Sequence, residues 1–148
     1  MIEINNLTKI TVDKKFLQGV AKIVLKGENI KKETETSIAL IKESEIKKIN
    51  QKYRKKNKAT DVLSFNFGKG LAPHHQNLVW GLAEIVICPS QVKRNAKKYK
   101  VTFKKELARV LIHGILHILG YNHERSKIGA KKMEAKQEYY LSKLSEPK

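Results

Sequence analysis

One cysteine and only 14 acidic residues stand in a chain of 148, and each shortage excludes something. Cys88 alone cannot close an internal disulfide, so a small disulfide-stapled scaffold is ruled out. It lies in an apolar, strand-like run, which fits a buried and inert thiol in a reducing compartment. Long hydrophobic runs are missing too. The longest, Ser37–Ile41 and Leu82–Cys88, contain polar residues or stop far short of the ~20 residues a membrane span needs. The opening MIEINNLTKI has no cationic start leading into an apolar stretch, so no secretory signal is expected. No internal repeat, low-complexity tract or Pro/Ser-rich linker divides the chain, which predicts one domain over residues 1–148. Together these absences predict a cytoplasmic protein.

What is present is a globular quantity of apolar residue, 41%, and a great deal of positive charge. Lys and Arg total 31, giving a formal net charge of +17. Charge of one sign repels itself and is easiest to understand beside a polyanion. Nucleic acid fits best, because each neutralised phosphate releases counterions and strengthens association. The bland alternative is a lysine-rich proteome, since Lys greatly outnumbers Arg.

Hydrophobic periodicity places the elements. Ile2–Asn6 alternates as a strand. Lys15–Lys26 carries Phe16, Val20, Ile23 and Val24 at helical spacing, with Gly27 as its stop signal. Thr36–Lys42 reads as a strand and Glu43–Lys55 as an amphipathic helix. DVLSFNF, residues 61 to 67, alternates as a strand with its bulkier set, Leu63, Phe65 and Phe67, on one face. A Gly/Pro-containing loop holding His74 and His75 leads to a β-rich run at Leu78–Cys88, so the two strands form a hairpin. Pro89 and Ser90 open a short basic helix, with Ser90 as its cap. Thr102 caps a longer helix that runs through Leu119 and closes at Gly120. A last helix covers Ile128–Leu144. The expected class is α+β, a small mixed β-sheet packed with helices, with a metal site at the end of the central helix.

The chemistry concentrates in HGILHILGYNH, residues 113 to 123, which holds three of the five histidines. His113 and His117 are one helical turn apart, so both imidazoles share a face and can converge on one ion. A helix continued to His123 would carry it about 15 Å along the axis from His113. Gly120 tolerates the left-handed conformation that ends a helix, letting the chain turn back and offer His123 as a third ligand. Three neutral imidazoles with an open fourth position form a catalytic zinc arrangement, whereas structural sites are normally closed by four protein ligands. Metzincin proteases share this H-x3-H-x5-H spacing, but they carry a glutamate base at position two. Here that position is Gly114, which cannot take a proton, so the peptidase mechanism lacks its base. His74 and His75 read as loop residues, because no spacing selects them.

HGILHILGYNH closely resembles the H-G-x-L-H-L-x-G-Y-D-H signature of the YbeY family of bacterial zinc endoribonucleases. INQKYRKKNKATDVLSF, residues 49 to 65, is similar to the family's N-x-x-Y-R…T-D-V-L-S-F segment, and LAEIVICPS at 82 to 90 to its L-G-D-I-x-I strand. The resemblance implies a metal-dependent single-strand endoribonuclease acting in ribosomal RNA maturation and ribosome quality control. It implies one Zn2+ ion per chain on His113, His117 and His123, with Arg54 and His113 as catalytic residues. Ribosomal RNA or a ribosomal subunit is the implied partner. An arginine beside a zinc-bound phosphodiester neutralises phosphorus-centred charge through its bidentate fork. Taken alone, Arg54 reads as a solvated helix-end residue among Lys52, Lys55 and Lys56.

Three positions depart from the pattern. Asn122 replaces an aspartate and loses a charge that orients a zinc histidine, so it is assigned no catalytic role. Ala83 replaces a glycine, and Glu84 replaces an aspartate on a longer arm. Asp61 reads as structural, its carboxylate receiving a backbone hydrogen bond near the strand start. Lys93, Arg94, Lys97, Lys98, Lys100, Lys104 and Lys105 form a basic segment expected in part to track an RNA backbone. Tyr121 suits either base stacking or core packing. Two rival readings are a zinc hydrolase of peptides or small molecules, against which Gly114 argues, and a non-catalytic ribosome assembly factor. His117→Ala separates the latter from a nuclease.

Overall fold

A computed structural model describes residues 2–30, 35–66, 82–121 and 127–144. In chain order they form β1 (Ile2–Asn6), α1 (Lys14–Gly27), β2 (Glu35–Leu40), α2 (Glu43–Arg54), β3 (Val62–Asn66), β4 (Leu82–Ile87), α3 (Pro89–Tyr99), α4 (Phe103–Ile118) and α5 (Lys127–Leu144). The sheet order is β1-β2-β4-β3. β1, β2 and β4 run parallel, and β3 pairs antiparallel with β4 at the edge. This is the mixed sheet and hairpin that the sequence pattern predicts.

Successive side chains on a strand point to opposite faces, and the sheet uses both. Ile38, Leu40, Ala83, Ile85 and Ile87 meet α1 and α4 in the main core. Ile41, Leu63, Val86 and Cys88 close on Ile46 of α2 in a smaller core behind the sheet. The bulky set on β3 therefore faces α2, with Phe65 edge-on to Tyr53 at 5.4 Å. The smaller Val62 and Ser64 face α4, and that choice lets α4 come close.

α4 is the central strut, packed against α1, α3, α5, β3 and β4. Thr102 caps it, its hydroxyl accepting from the Lys105 amide at 3.0 Å. Gly120, at φ 106°, ends it in the left-handed region. Leu107, Leu111, Ile112, Ile115 and Leu116 are fully buried, each contributing about 1.5–3 kcal/mol. Burial therefore outweighs the cap, which adds ~1 kcal/mol.

Two helix ends differ from the sequence reading. Gly27 does not stop α1; the left-handed residue is Asn29, at φ 62°. Gly27 serves close approach instead, since a Cβ there would lie 2.5 Å from the Tyr140 hydroxyl. Ser90 is not the cap of α3, because Cys88 occupies the N-cap position and Pro89 the first turn. Proline suits that turn, having no N–H to leave unpaired. The Ser90 hydroxyl donates to Glu43 Oε1 at 3.3 Å.

One buried carboxylate ties three elements together. Glu28, just past α1, accepts from the Tyr121 hydroxyl at 2.9 Å, from Lys136 Nζ at 3.0 Å and from the Tyr140 hydroxyl. Burial alone would raise its pKa. Hydrogen bonds from Tyr140, Lys136 and Tyr121, with the Lys136 charge, outweigh that and hold it below the ordinary 4.5. Burial and the Glu28 charge push the Tyr121 phenol up to about 12. A carboxylate with a depressed folded pKa contributes stability that is complete above its unfolded value and lost as pH falls through the folded one. Glu28→Gln is accordingly expected to cost about 1.5–3 kcal/mol at pH 7. Thermal melts from pH 7 down to pH 3 should show this difference shrinking as the wild type loses its advantage.

Candidate functional site

His113 and His117 stand one turn apart near the C-terminal end of α4. Their ring centroids are 6.5 Å apart and their planes tilt by 32°. His113 is half-buried and His117 exposed. The buried side chain of Gln137, on α5, places Oε1 2.9 Å from His113 Nδ1. An amide oxygen only accepts, so Nδ1 carries the proton, which in the neutral ring leaves the Nε2 lone pair as the donor. Gln137 was not legible beforehand, because the contact joins residues 24 apart in sequence.

His113 opens on a cavity of about 310 Å³ whose polar lining is Asp61, Arg109, His113, Glu134 and Gln137. Asp61 therefore lines the same cavity as His113. Its carboxylate accepts from the Asn95 side-chain amide at 3.3 Å, and its backbone oxygen from the Cys88 amide at 2.9 Å. Arg109 was also missed. It sits four residues before His113, the same spacing that joins the two histidines.

Gly114 points the other way, into the sheet. A Cβ there would meet Ser64 Oγ at 3.1 Å and both Ile85 Cγ2 and Val62 Cγ2 at 3.2 Å. The Ser64 hydroxyl donates to its carbonyl at 3.0 Å. Position two of the motif thus lies in the helix–sheet contact, and a glutamate has no room there.

The other expected residues divide. Arg54 is exposed in the last turn of α2 and is not part of the cavity lining. α2 packs behind the sheet and the histidines in front of it. Glu84 shares the rear face with Val86, because Ala83 and Ile85 face the main core. Tyr121 is half-buried against that core with its hydroxyl on Glu28, so core packing holds over base stacking. The basic segment is exposed. Arg94 pairs with Glu43 at 2.8 Å and Lys104 with Asp13 at 3.5 Å. Among the described residues, no carboxylate pairs with Lys97, Lys98, Lys100 or Lys105. His74, His75, Asn122 and His123 lie outside the described residues. No described helix is long and apolar enough to cross a membrane.

A mixed sheet backing a central helix that presents two histidines one turn apart defines an α+β domain with a candidate metal-binding face. A family model described as endoribonuclease YbeY matches residues 3–145. An endoribonuclease YbeY of Thermotoga maritima is 40% identical over 120 residues, covering 79% of this chain and 74% of the relative. That of Bdellovibrio bacteriovorus is 35% identical and covers 95% of each chain. A solution structure of a Thermotoga maritima protein, 34% identical, superposes with a TM-score of 0.64 over 96% of this chain and 87% of the other. The chain belongs to the endoribonuclease YbeY family, whose enzymes cut within RNA.

Membership implies a bound metal, and the described residues fit one. Two imidazoles on one helix face, one oriented by an amide, make a donor pair for a divalent ion. A shared tetrahedral ion asks for ring centroids ~5 Å apart, closer than the present 6.5 Å. Binding would therefore draw the two rings together. Among the described residues alone no set of three ligands forms.

Proposed function

We propose that the whole chain, residues 1–148, acts as one domain, a cytoplasmic single-strand endoribonuclease of ribosomal RNA maturation and quality control. One zinc ion is held by His113, His117 and His123, and Arg54 and His113 are the catalytic residues. When bound, the zinc supplies a Lewis acid for charge developing on phosphoryl oxygens. The remaining work belongs to the chain. Gln137 holds the Nδ1 proton of His113 and keeps that ring in one orientation. Arg54 neutralises charge at phosphorus through its guanidinium fork. The lysines of α3 and the start of α4 follow the RNA backbone.

The observation that carries this reading is the imidazole pair on one face of α4, with His113 lining the cavity and Gly114 buried in the sheet where a peptidase would need its base. The test is cleavage of single-stranded ribosomal RNA fragments by metal-loaded protein. Activity should vanish on chelation and return with zinc, and cleavage indifferent to chelator overturns the reading. Binding is expected to weaken with salt. Lys97→Ala/Lys98→Ala should make the slope of log affinity against log salt shallower by roughly 1.4, if both lysines contact phosphates. Fluorescence anisotropy across a salt series measures it.

A further inference from the structure

We propose that Arg109, held by Glu106, is a substrate-binding residue that takes the RNA phosphate adjoining the one being cut. The inference rests on the endoribonuclease reading and adds a subsite to it.

Arg109 lines the same cavity as His113. Four residues earlier on α4, it shares the histidine face and lies ~6 Å along the axis. That is about one nucleotide step of an extended strand. Its guanidinium is held from two sides. Nε donates to Glu106 Oε1 at 3.2 Å, and Cζ sits 6.0 Å from the centroid of the Tyr99 ring. The Nε contact leaves the terminal nitrogens as the edge that matches a phosphate.

Glu106 is unusual in its own right. It is 1% exposed, and Oε2 has no hydrogen-bond partner among the described residues. A buried carboxylate with one oxygen unmatched is costly to keep. Its visible return is to fix Arg109, whose side chain remains 38% exposed. Glu106 is thus a positioning residue, and Arg109 arrives at the cavity already ordered, which lowers the entropy lost on binding. Tyr99 is 52% exposed and offers an aromatic face beside the same subsite. The competing account is that Arg109 merely balances Asp61 and Glu134 in the cavity lining.

Single-stranded oligoribonucleotides carrying one uncharged methylphosphonate, moved linkage by linkage, separate the two. With metal-loaded wild type, a neutral linkage next to the cut should lower kcat/KM by roughly tenfold or more, mainly through KM. Arg109→Gln should lose a similar factor on natural RNA and become indifferent to that linkage, while its response to other linkages is unchanged. Because this change strands the Glu106 charge, Glu106→Gln/Arg109→Gln is tested beside it and should give the same profile. Glu106→Gln alone should keep the preference in weakened form. A wild-type profile that is flat beside the cut overturns the proposal however the variants fold. So do variants that fold and retain the wild-type preference. Wild-type protein that cuts no RNA fails earlier, at the endoribonuclease reading, and takes this inference with it.

Discussion

His117→Ala is expected to lose metal affinity by more than about 100-fold, since even outer-shell partners of a metal histidine are worth 10- to 100-fold. RNA cleavage should fall to no more than about a thousandth of wild type, a loss of at least ~4 kcal/mol in transition-state stabilisation. The reason is geometric. His113 and His117 share one face of α4, and on the proposed ligand set removing one imidazole leaves too few donors to retain the ion. His117 is exposed and takes no part in the main core, so the variant should melt as wild type does. Elemental analysis, cleavage and a thermal melt on one preparation decide the matter. Metal retained at wild-type occupancy would remove His117 from the ligand set. If the variant loses ribosomal RNA binding while folded, and wild type never cleaves, the protein is an assembly factor.

The second large effect concerns Gly114. Gly114→Val should destabilise the fold by about 2–4 kcal/mol, because its methyl groups enter space already held by Ser64, Ile85 and Val62. None of the three is the far end of a flexible chain. Ile85 is fully buried on β4, and β3 is fixed by its ladder with β4. Gly114→Ala is the finer probe. Alanine gains about 1 kcal/mol of helix propensity but presses against all three neighbours, so it should fall between wild type and valine. Denaturant melts of the three proteins give the order. A valine variant as stable as wild type would show that α4 does not sit this close to the sheet.

The same glycine shows how far the sequence could be read. Its identity excluded a peptidase base correctly, and the structure supplies a second cause: the position faces β3 and β4. Periodic elements were legible because burial repeats every two or about 3.6 residues, which placed β1, α2, α4 and α5 within a residue or two. Helix ends were less so. Gly27 reads as a stop by conformational preference, yet it is required by Tyr140, a residue of a distant helix. Ser90 has the chemistry of a cap, but Pro89 starts the helix, which moves the cap position two residues back to Cys88. The parallel pairing of β1, β2 and β4 left no local trace, since it depends on crossovers.

Within the candidate site, spacing placed His113 and His117 on one helix face, as they stand, and the same spacing carried toward the N-terminus reaches Arg109 on the cavity wall. Gln137 and Glu28 could not be found that way. Their roles exist only where α5 lies against α4 and α1. Asp61 keeps its structural reading, with a partner that no local pattern could show, the Asn95 amide that reaches it from α3.

The central strut carries a last consequence. Leu107, Leu111, Ile115 and Leu116 secure the histidine-bearing helix among apolar neighbours, without drawing on any ion. Unlike a zinc finger, which unravels when its metal is withdrawn, this scaffold is expected to stay folded when its metal is removed. A chain synthesised during metal scarcity would fold intact, wait idle and become competent on later uptake.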